Sequence, residues 1–299
     1  MSKQSLKLLV FGILVAGGLL AFSAPKPAPT APTTPAVPAA PSTPRPLVVV
    51  TLFPLEDWVK NITNEQVEVV NIIPDGLEPH DYEPTAADLR LLTEADLVLG
   101  VGGGLDDELL DTLPPEKVWR MSEVIASSAN DPHVWLSLEN ARQLVVSLGG
   151  NLESLSPGAV SGADSYAIKL TALTNQYETS LAQCQSRDLF VAHDAFHYLA
   201  VDYNFNTHPI MGLSADAEPS ARALARLTEE ARALGVKTIY FETLTSPKLA
   251  DTLAGELDLE VAVLDPLEGL SAERRLEGAS YLGIMEENLN ALIAGQRCL

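Results

Sequence analysis

From Leu47 onward the chain alternates short, continuous apolar runs with amphipathic stretches, and this alternation constrains the fold more than any other feature. "PLVVVTLF" (46–53), "VEVVNIIP" (67–74) and "DLVLGVG" (96–102) read as buried strands, with a short fourth in "KVWRM" (117–121). Between them, "PLEDWVKNIT" (54–63) and "TAADLRLLTEA" (85–95) read as helices. The second carries Thr85 as N-cap and Asp88 at the third helical position, a capping-box-like pattern. Strands that alternate with helices imply parallel βαβ units with helices on both faces of the sheet.

The pattern then turns helical. "SLENARQLVVSLGGNLESL" (137–155) is expected to be interrupted at Gly149-Gly150. "GADSYAIKLTALTNQYETSLAQC" (162–184) has no Gly or Pro after its first residue. Strands return in "DLFVAH" (188–193), "VKTIYFE" (236–242) and "EVAVLDP" (260–266), with a helix at 220–235 capped by Ser220 and a last helix over 273–295. The expected fold is α/β: two Rossmann-like lobes with parallel sheets, residues 47–155 and 186–299, joined by one long rigid helix within 156–185. With no internal hinge residue in that helix, wide lobe closure is not expected.

The first 46 residues stand apart. Lys3 and Lys7 precede the apolar stretch 8–22, which is short for a membrane span, and Ala21 and Ser23 suit a cleavage site. Residues 1–23 are therefore expected to be an export signal, giving a periplasmic or cell-surface location; an uncleaved segment would instead tether the chain. Residues 24–46 are rich in Pro, Ala and Thr, contain no carboxylate, and read as a solvated linker. Cys184 and Cys298 are the only cysteines, and in an exported chain such a pair is expected to form a disulfide.

The chain carries 19 Lys+Arg against 40 Asp+Glu, a net charge of −21. That balance argues against nucleic acid, whose phosphates need a basic face. In open α/β sheets, ligands bind beyond the carboxyl ends of the strands. His80 follows the second strand, His133 lies in a loop before the long helices, His193 closes "DLFVAH", and Asp265 closes "EVAVLD". Each lobe thus offers two candidates at loops that would line a cleft between the lobes. Three imidazoles and a carboxylate suit a borderline divalent cation, Zn2+ ahead of Mn2+. His197, at i+4 from His193, lacks the Glu of an HExxH pair and reads as lining the cleft; His208 reads as a loop histidine. Glu242 reads as a capping or supporting carboxylate, and Asp194 as a cap for the helix that follows it.

The segments "GLEPHDYEPTAADLRLLTEADLVLGVG", "NDPHVWLSLENA", "VAHDAFHYLAVDYNF", "LSADAEPSARALARL", "FETLTSPKLADTLA" and "LDPLEGLS" together resemble the zinc/manganese-type solute-binding subunits of bacterial ABC importers. The resemblance runs in order through nearly all of 47–299. It implies two lobes bridged by a rigid helix, no catalysis, a monomer that delivers its cation to an ABC permease in the membrane, and metal ligands at His80, His133, His193 and Asp265. A histidine at 193, where manganese-type members carry a carboxylate, resembles the zinc type. The chain departs from many zinc-type members in lacking a long His/Asp-rich loop near "SEVIASSAND". Two other readings use the same residues: an exported zinc hydrolase with Glu242 or Glu78 as base, and a metal-binding surface adhesin.

Overall fold

Each apolar run expected to be a strand forms one, in one of two four-stranded sheets. The computed structural model describes residues 44–126, 131–213, 221–244, 255 and 259–299. The expected signal, the linker up to residue 43 and the Ser220 cap lie outside the described residues. The first sheet contains β1 (Leu47–Val50), β2 (Glu68–Asn71), β3 (Leu97–Gly100) and β4 (Val118–Arg120), in the order β2-β1-β3-β4. The second contains β5 (Asp188–Val191), β6 (Asn206–Pro209), β7 (Thr238–Phe241) and β8 (Glu260–Val263), in the order β6-β5-β7-β8. Every pairing is parallel, so both lobes are α/β and share one strand order. In each lobe the order reverses beside the first strand, opening a crevice at the carboxyl ends of the strands.

The connecting helices are α1 (Phe53–Thr63), α2 (Ala86–Glu94), α3 (Asp107–Leu110) and α4 (Met121–Val124) in the first lobe. Then come α5 (Leu138–Leu152) and α6 (Ala159–Leu181), followed by α7 (His197–Tyr203) and α8 (Ala221–Leu234). A short helix, Ala272–Leu276, and a C-terminal helix, Tyr281–Gly295, complete the chain. The cap read at α2 is present: Thr85 Oγ1 accepts from Asp88 N, and Asp88 Oδ2 accepts from Thr85 N at 2.7 Å. Among the described residues, no helix is long and apolar enough to cross a membrane.

The long helix α6 joins the two halves through its buried face. Tyr166, Leu170, Leu173, Tyr177 and Leu181 point into the core at helical spacing. Tyr166 donates its hydroxyl to Asp57 on α1 at 2.9 Å, and Tyr177 donates to Met285 O of the C-terminal helix at 2.5 Å. Each buried hydroxyl therefore has a partner, so the phenols add binding without an orphaned donor.

Five local expectations give way in the fold. Helix α5 runs through Gly149-Gly150 unbroken, because a Cβ at Gly149 would collide with Ala163 of α6; the glycine permits close helix contact. Helix α6 begins at Ala159 and takes in Gly162, whose missing side chain leaves room for the Ile62 carbonyl at the end of α1. The last helix is two, divided at Gly278, which has φ 75°, and restarted by Ser280, whose Oγ accepts from Gly283 N. "NTHP", read as loop, is the edge strand β6, where a proline costs no ladder bond on its open side. Asp194 does not cap α7, whose N-cap is Phe196 with no side-chain bond.

Cys184 and Cys298 are bonded, closing a sequence separation of 114 residues. The bond joins the segment just after α6 to the chain end, beside backbone bonds from Gln185 N and Ser186 N to Gln296 O. A loop of this length contributes about 4–5 kcal/mol in the chain-entropy model, with measured values often lower. Reduction is expected to lower the thermal midpoint while leaving metal stoichiometry unchanged, because neither sulfur lies near the histidines. Calorimetric scans with and without reductant, with metal analysis of both samples, check this; metal lost on mild reduction would contradict it.

Candidate metal centre

The second lobe builds half of the site from strand register. Val191 of β5 lies opposite Tyr240 of β7. Extending that register two residues beyond the strand ends sets His193 opposite Glu242. There Glu242 Oε1 accepts from His193 Nδ1 at 2.6 Å and from His193 N at 3.2 Å. Both residues are buried, and the pairing fixes the ring so that Nε2 faces away from the sheet.

The first lobe supplies His133 by a turn. Asp131 Oδ1 accepts from His133 N at 3.0 Å and from its Nδ1 at 2.6 Å. The chain then enters a 3-10 turn, Val134–Leu136, and Ser137 caps α5. Trp135 anchors this loop to the far side of the cleft: its Nε1 donates to Pro266 O at 2.7 Å, and Tyr281 donates its hydroxyl to Trp135 O. His80 lies in a 3-10 turn, Pro79–Asp81, beyond β2. Its side chain is 14% exposed, whereas those of His133 and His193 are fully buried. His80 lines an open recess with Gly103, Gly104, Leu105 and Pro132, so the site reaches solvent on its edge.

The three imidazoles converge on Glu268. Glu268 Oε1 lies 3.0 Å from His80 Nε2, 2.9 Å from His133 Nε2 and 3.7 Å from His193 Nε2. His133 Nε2 and His193 Nε2 are 3.4 Å apart. These four atoms all lie within 4.8 Å of one another. Donors bound to one tetrahedral zinc at 2.0–2.1 Å stand about 3.3 Å apart, so the observed spacings bracket that geometry.

Asp265, the carboxylate expected from the strand-end pattern, is not in this group. Its Oδ1 accepts from Leu267 N at 2.8 Å, and its Oδ2 accepts from Thr243 Oγ1 at 2.9 Å. It braces the turn in which Leu267 adopts φ 58°, a left-handed conformation that side chains other than Gly rarely hold. That turn carries Glu268 back into the cleft. The place read for Asp265 is thus taken by Glu268, three positions on in "LDPLEG", and spacing alone does not separate the two. His197 is exposed at the start of α7, against Tyr198. His208 lies between Asp188 and Glu230, at 3.0 and 2.9 Å, remote from the cluster.

Electrostatics follow from this packing. Burial alone would push Glu268 up, but hydrogen bonds from His133, His193 and His80 hold it well below the usual carboxylate range. Burial would lower His193, yet Glu242 and Glu268 push it up to about 10; Asp131 and Glu268 raise His133 in the same way. Burial pushes Asp265 up to about 6, partly offset by Leu267 N and Thr243.

A family model described as zinc-uptake complex component A, periplasmic, matches residues 48–295. The high-affinity zinc uptake system protein ZnuA of Bacillus subtilis is 34% identical over 82% of this chain and 86% of its own length. The zinc-binding lipoprotein AdcA of Streptococcus pneumoniae is also 34% identical over 82% of this chain, which spans only 54% of that protein. The crystal structure of the Zn(II)-bound ZnuA-like domain of S. pneumoniae AdcA superposes with a TM-score of 0.73, covering 84% of this chain and 99% of the domain.

The two carboxylates are separable by isosteric substitution. Glu268→Gln is expected to weaken zinc binding by orders of magnitude, and Asp265→Asn to leave it within a few-fold. Because the folded pKa of Asp265 lies above its ordinary 3.8, its stabilising contribution is complete below about 4 and lost as pH rises through about 6. Asp265→Asn should therefore gain stability relative to the parent between pH 4 and 7, by denaturant titration at each pH. Zinc loss in Asp265→Asn with retention in Glu268→Gln would reverse the assignment.

Proposed function

The chain is a member of the periplasmic zinc-uptake complex component A family, and on that premise we propose that it captures Zn2+ outside the cytoplasm and delivers it to an ABC permease. One observation carries the reading: three imidazole nitrogens and one carboxylate oxygen converge to within 4.8 Å of one another, all but His80 buried. In this reading His80, His133, His193 and Glu268 bind the cation, while Asp131 and Glu242 hold the two buried rings by their Nδ1 atoms. Imidazole-rich ligation favours zinc over manganese. Four protein donors leave no open position for an activated water, so the site stores and releases rather than hydrolyses. The family is a transport component, not an enzyme.

The chain's arrangement fits that role. Residues 1–23 act as the export signal and 24–46 as a linker ahead of the fold. Residues 47–155 and 186–299 are the lobes, and 156–185 hold the connecting helix. The chain works as a monomer, since both halves of the site come from one polypeptide.

Zinc must displace protons from raised imidazoles. His193, pushed up to about 10 by Glu242 and Glu268, is protonated near neutral pH when no cation lies beside it, and His133 is raised in the same direction by Asp131 and Glu268. Affinity should accordingly rise with pH from 6 to 9. Calorimetry at pH 7 in buffers of different ionisation enthalpy should report net proton release on zinc binding. Replacement of His80, His133 or His193 by Ala is expected to cost orders of magnitude in affinity, and His208→Ala to cost little. A His133→Ala chain with unchanged zinc affinity, or binding with no proton release, would contradict the proposal.

A further inference from the structure

Two segments that carry ligands run beside one another across the cleft, and their contacts reach beyond the metal. One is residues 75–80, which ends at His80 in the first lobe; the other is residues 268–275, which begins at Glu268 after β8. They touch at both ends and between. His80 Nε2 meets Glu268 Oε1 at 3.0 Å, Gly76 N donates to Leu270 O at 2.8 Å, and Arg275 Nε donates to Asp75 Oδ2 at 2.6 Å. Arg275 also spreads its other two nitrogens over Glu56 of α1, Nη1 to Oε1 at 2.8 Å and Nη2 to Oε2 at 3.0 Å.

We infer that Arg275 is a positioning residue of the metal site: its grip on Asp75 and Glu56 fastens the Glu268 segment of the second lobe to the His80 loop of the first, and so brings carboxylate and imidazole into one shell. The inference rests on the zinc-binding reading above. Neither segment is held by a sheet. Apart from the 3-10 turn at Pro79–Asp81 and the short helix Ala272–Leu276, both are irregular, so cross-links must set their separation. A planar guanidinium suits the task, because its fork bonds one carboxylate with two nitrogens while the third reaches another. Glu56 is buried and also accepts from Lys60, so opening the clamp strips a buried carboxylate of one of its two cations, which is costly. The two carboxylates also neutralise the positive charge of Arg275. It therefore contributes geometry to a neighbouring cation site without a repulsive field.

A plain stabilising ion pair would look the same in a melting curve, so the test measures zinc. Zinc affinity by chelator competition, and the zinc off-rate by stopped-flow transfer to a fluorescent chelator, are compared for the full chain and four variants. Arg275→Met is expected to weaken affinity by about tenfold or more, mostly as a faster off-rate, in the range seen when groups supporting metal ligands are removed. Asp75→Asn should act in the same direction with a smaller effect, and Arg275→Lys, which keeps the charge but not the fork, should recover part of the loss. The double variant Asp75→Asn/Arg275→Met should be no weaker than Arg275→Met alone. Unchanged affinity and off-rate in Arg275→Met and Asp75→Asn overturn the inference, whatever happens to the melting temperature. If Arg275→Met does not fold, Asp75→Asn decides by the same readout. Parent chain and His133→Ala run alongside: a parent that holds no zinc, or a His133→Ala chain that still does, overturns the site reading and the clamp with it.

Discussion

The structure depends on one buried carboxylate. Glu268 is almost wholly shielded from water, and an isolated charge there would be prohibitively expensive. Three imidazoles offset that cost, two of them backed by carboxylates of their own, Asp131 and Glu242. The result is a chain of alternating acidic and basic groups, each paired with the next. On the proposed reading, a divalent cation takes the place of the protons between these donors, so that binding is an exchange of charge within a cluster already brought together.

The frame comes from two sheets with one strand order. In the second lobe, adjacent parallel strands end side by side, and register alone sets His193 against Glu242. In the first lobe the corresponding work is done by turns, at Asp131-Pro132-His133 and at Pro79–Asp81. Helix α6 holds the lobes through hydrogen bonds to α1 and to the C-terminal helix, while Trp135 and Tyr281 stitch the loop of His133 to the segment of Glu268. These links cross the cleft next to the ligands, so a cation that leaves must pass the partly exposed edge at His80 or loosen them.

The strands and their parallel pairing were legible because buried βαβ units need short, uniformly apolar runs, and β1, β3, β5 and β7 are such runs. The α2 cap was legible because its chemistry is local. Three histidines stood out because the chain has only 5 and these fall at strand ends and the loops beyond them. What was not legible depends on contacts distant in sequence. Gly149 looked like a helix break, and only the nearness of Ala163 explains its place within α5. The edge strand β6 has too little apolar content to differ from a loop. Asp265 and Glu268 both follow β8, and a single backbone feature, the left-handed turn at Leu267, decides which of them reaches the histidines. A β-strand pattern carries no information about a turn that a bulky residue adopts only because the rest of the fold holds it there.

The central claim is the identity of the four donors around one cation. X-ray absorption at the zinc edge of the loaded protein measures this most directly, compared with Glu268→Gln prepared in the same way. The account predicts three imidazole nitrogens and one oxygen at about 2.0–2.1 Å, with no sulfur, and a changed oxygen shell in the variant. Fewer than three imidazoles, a sulfur neighbour, or a spectrum indifferent to Glu268→Gln would contradict it.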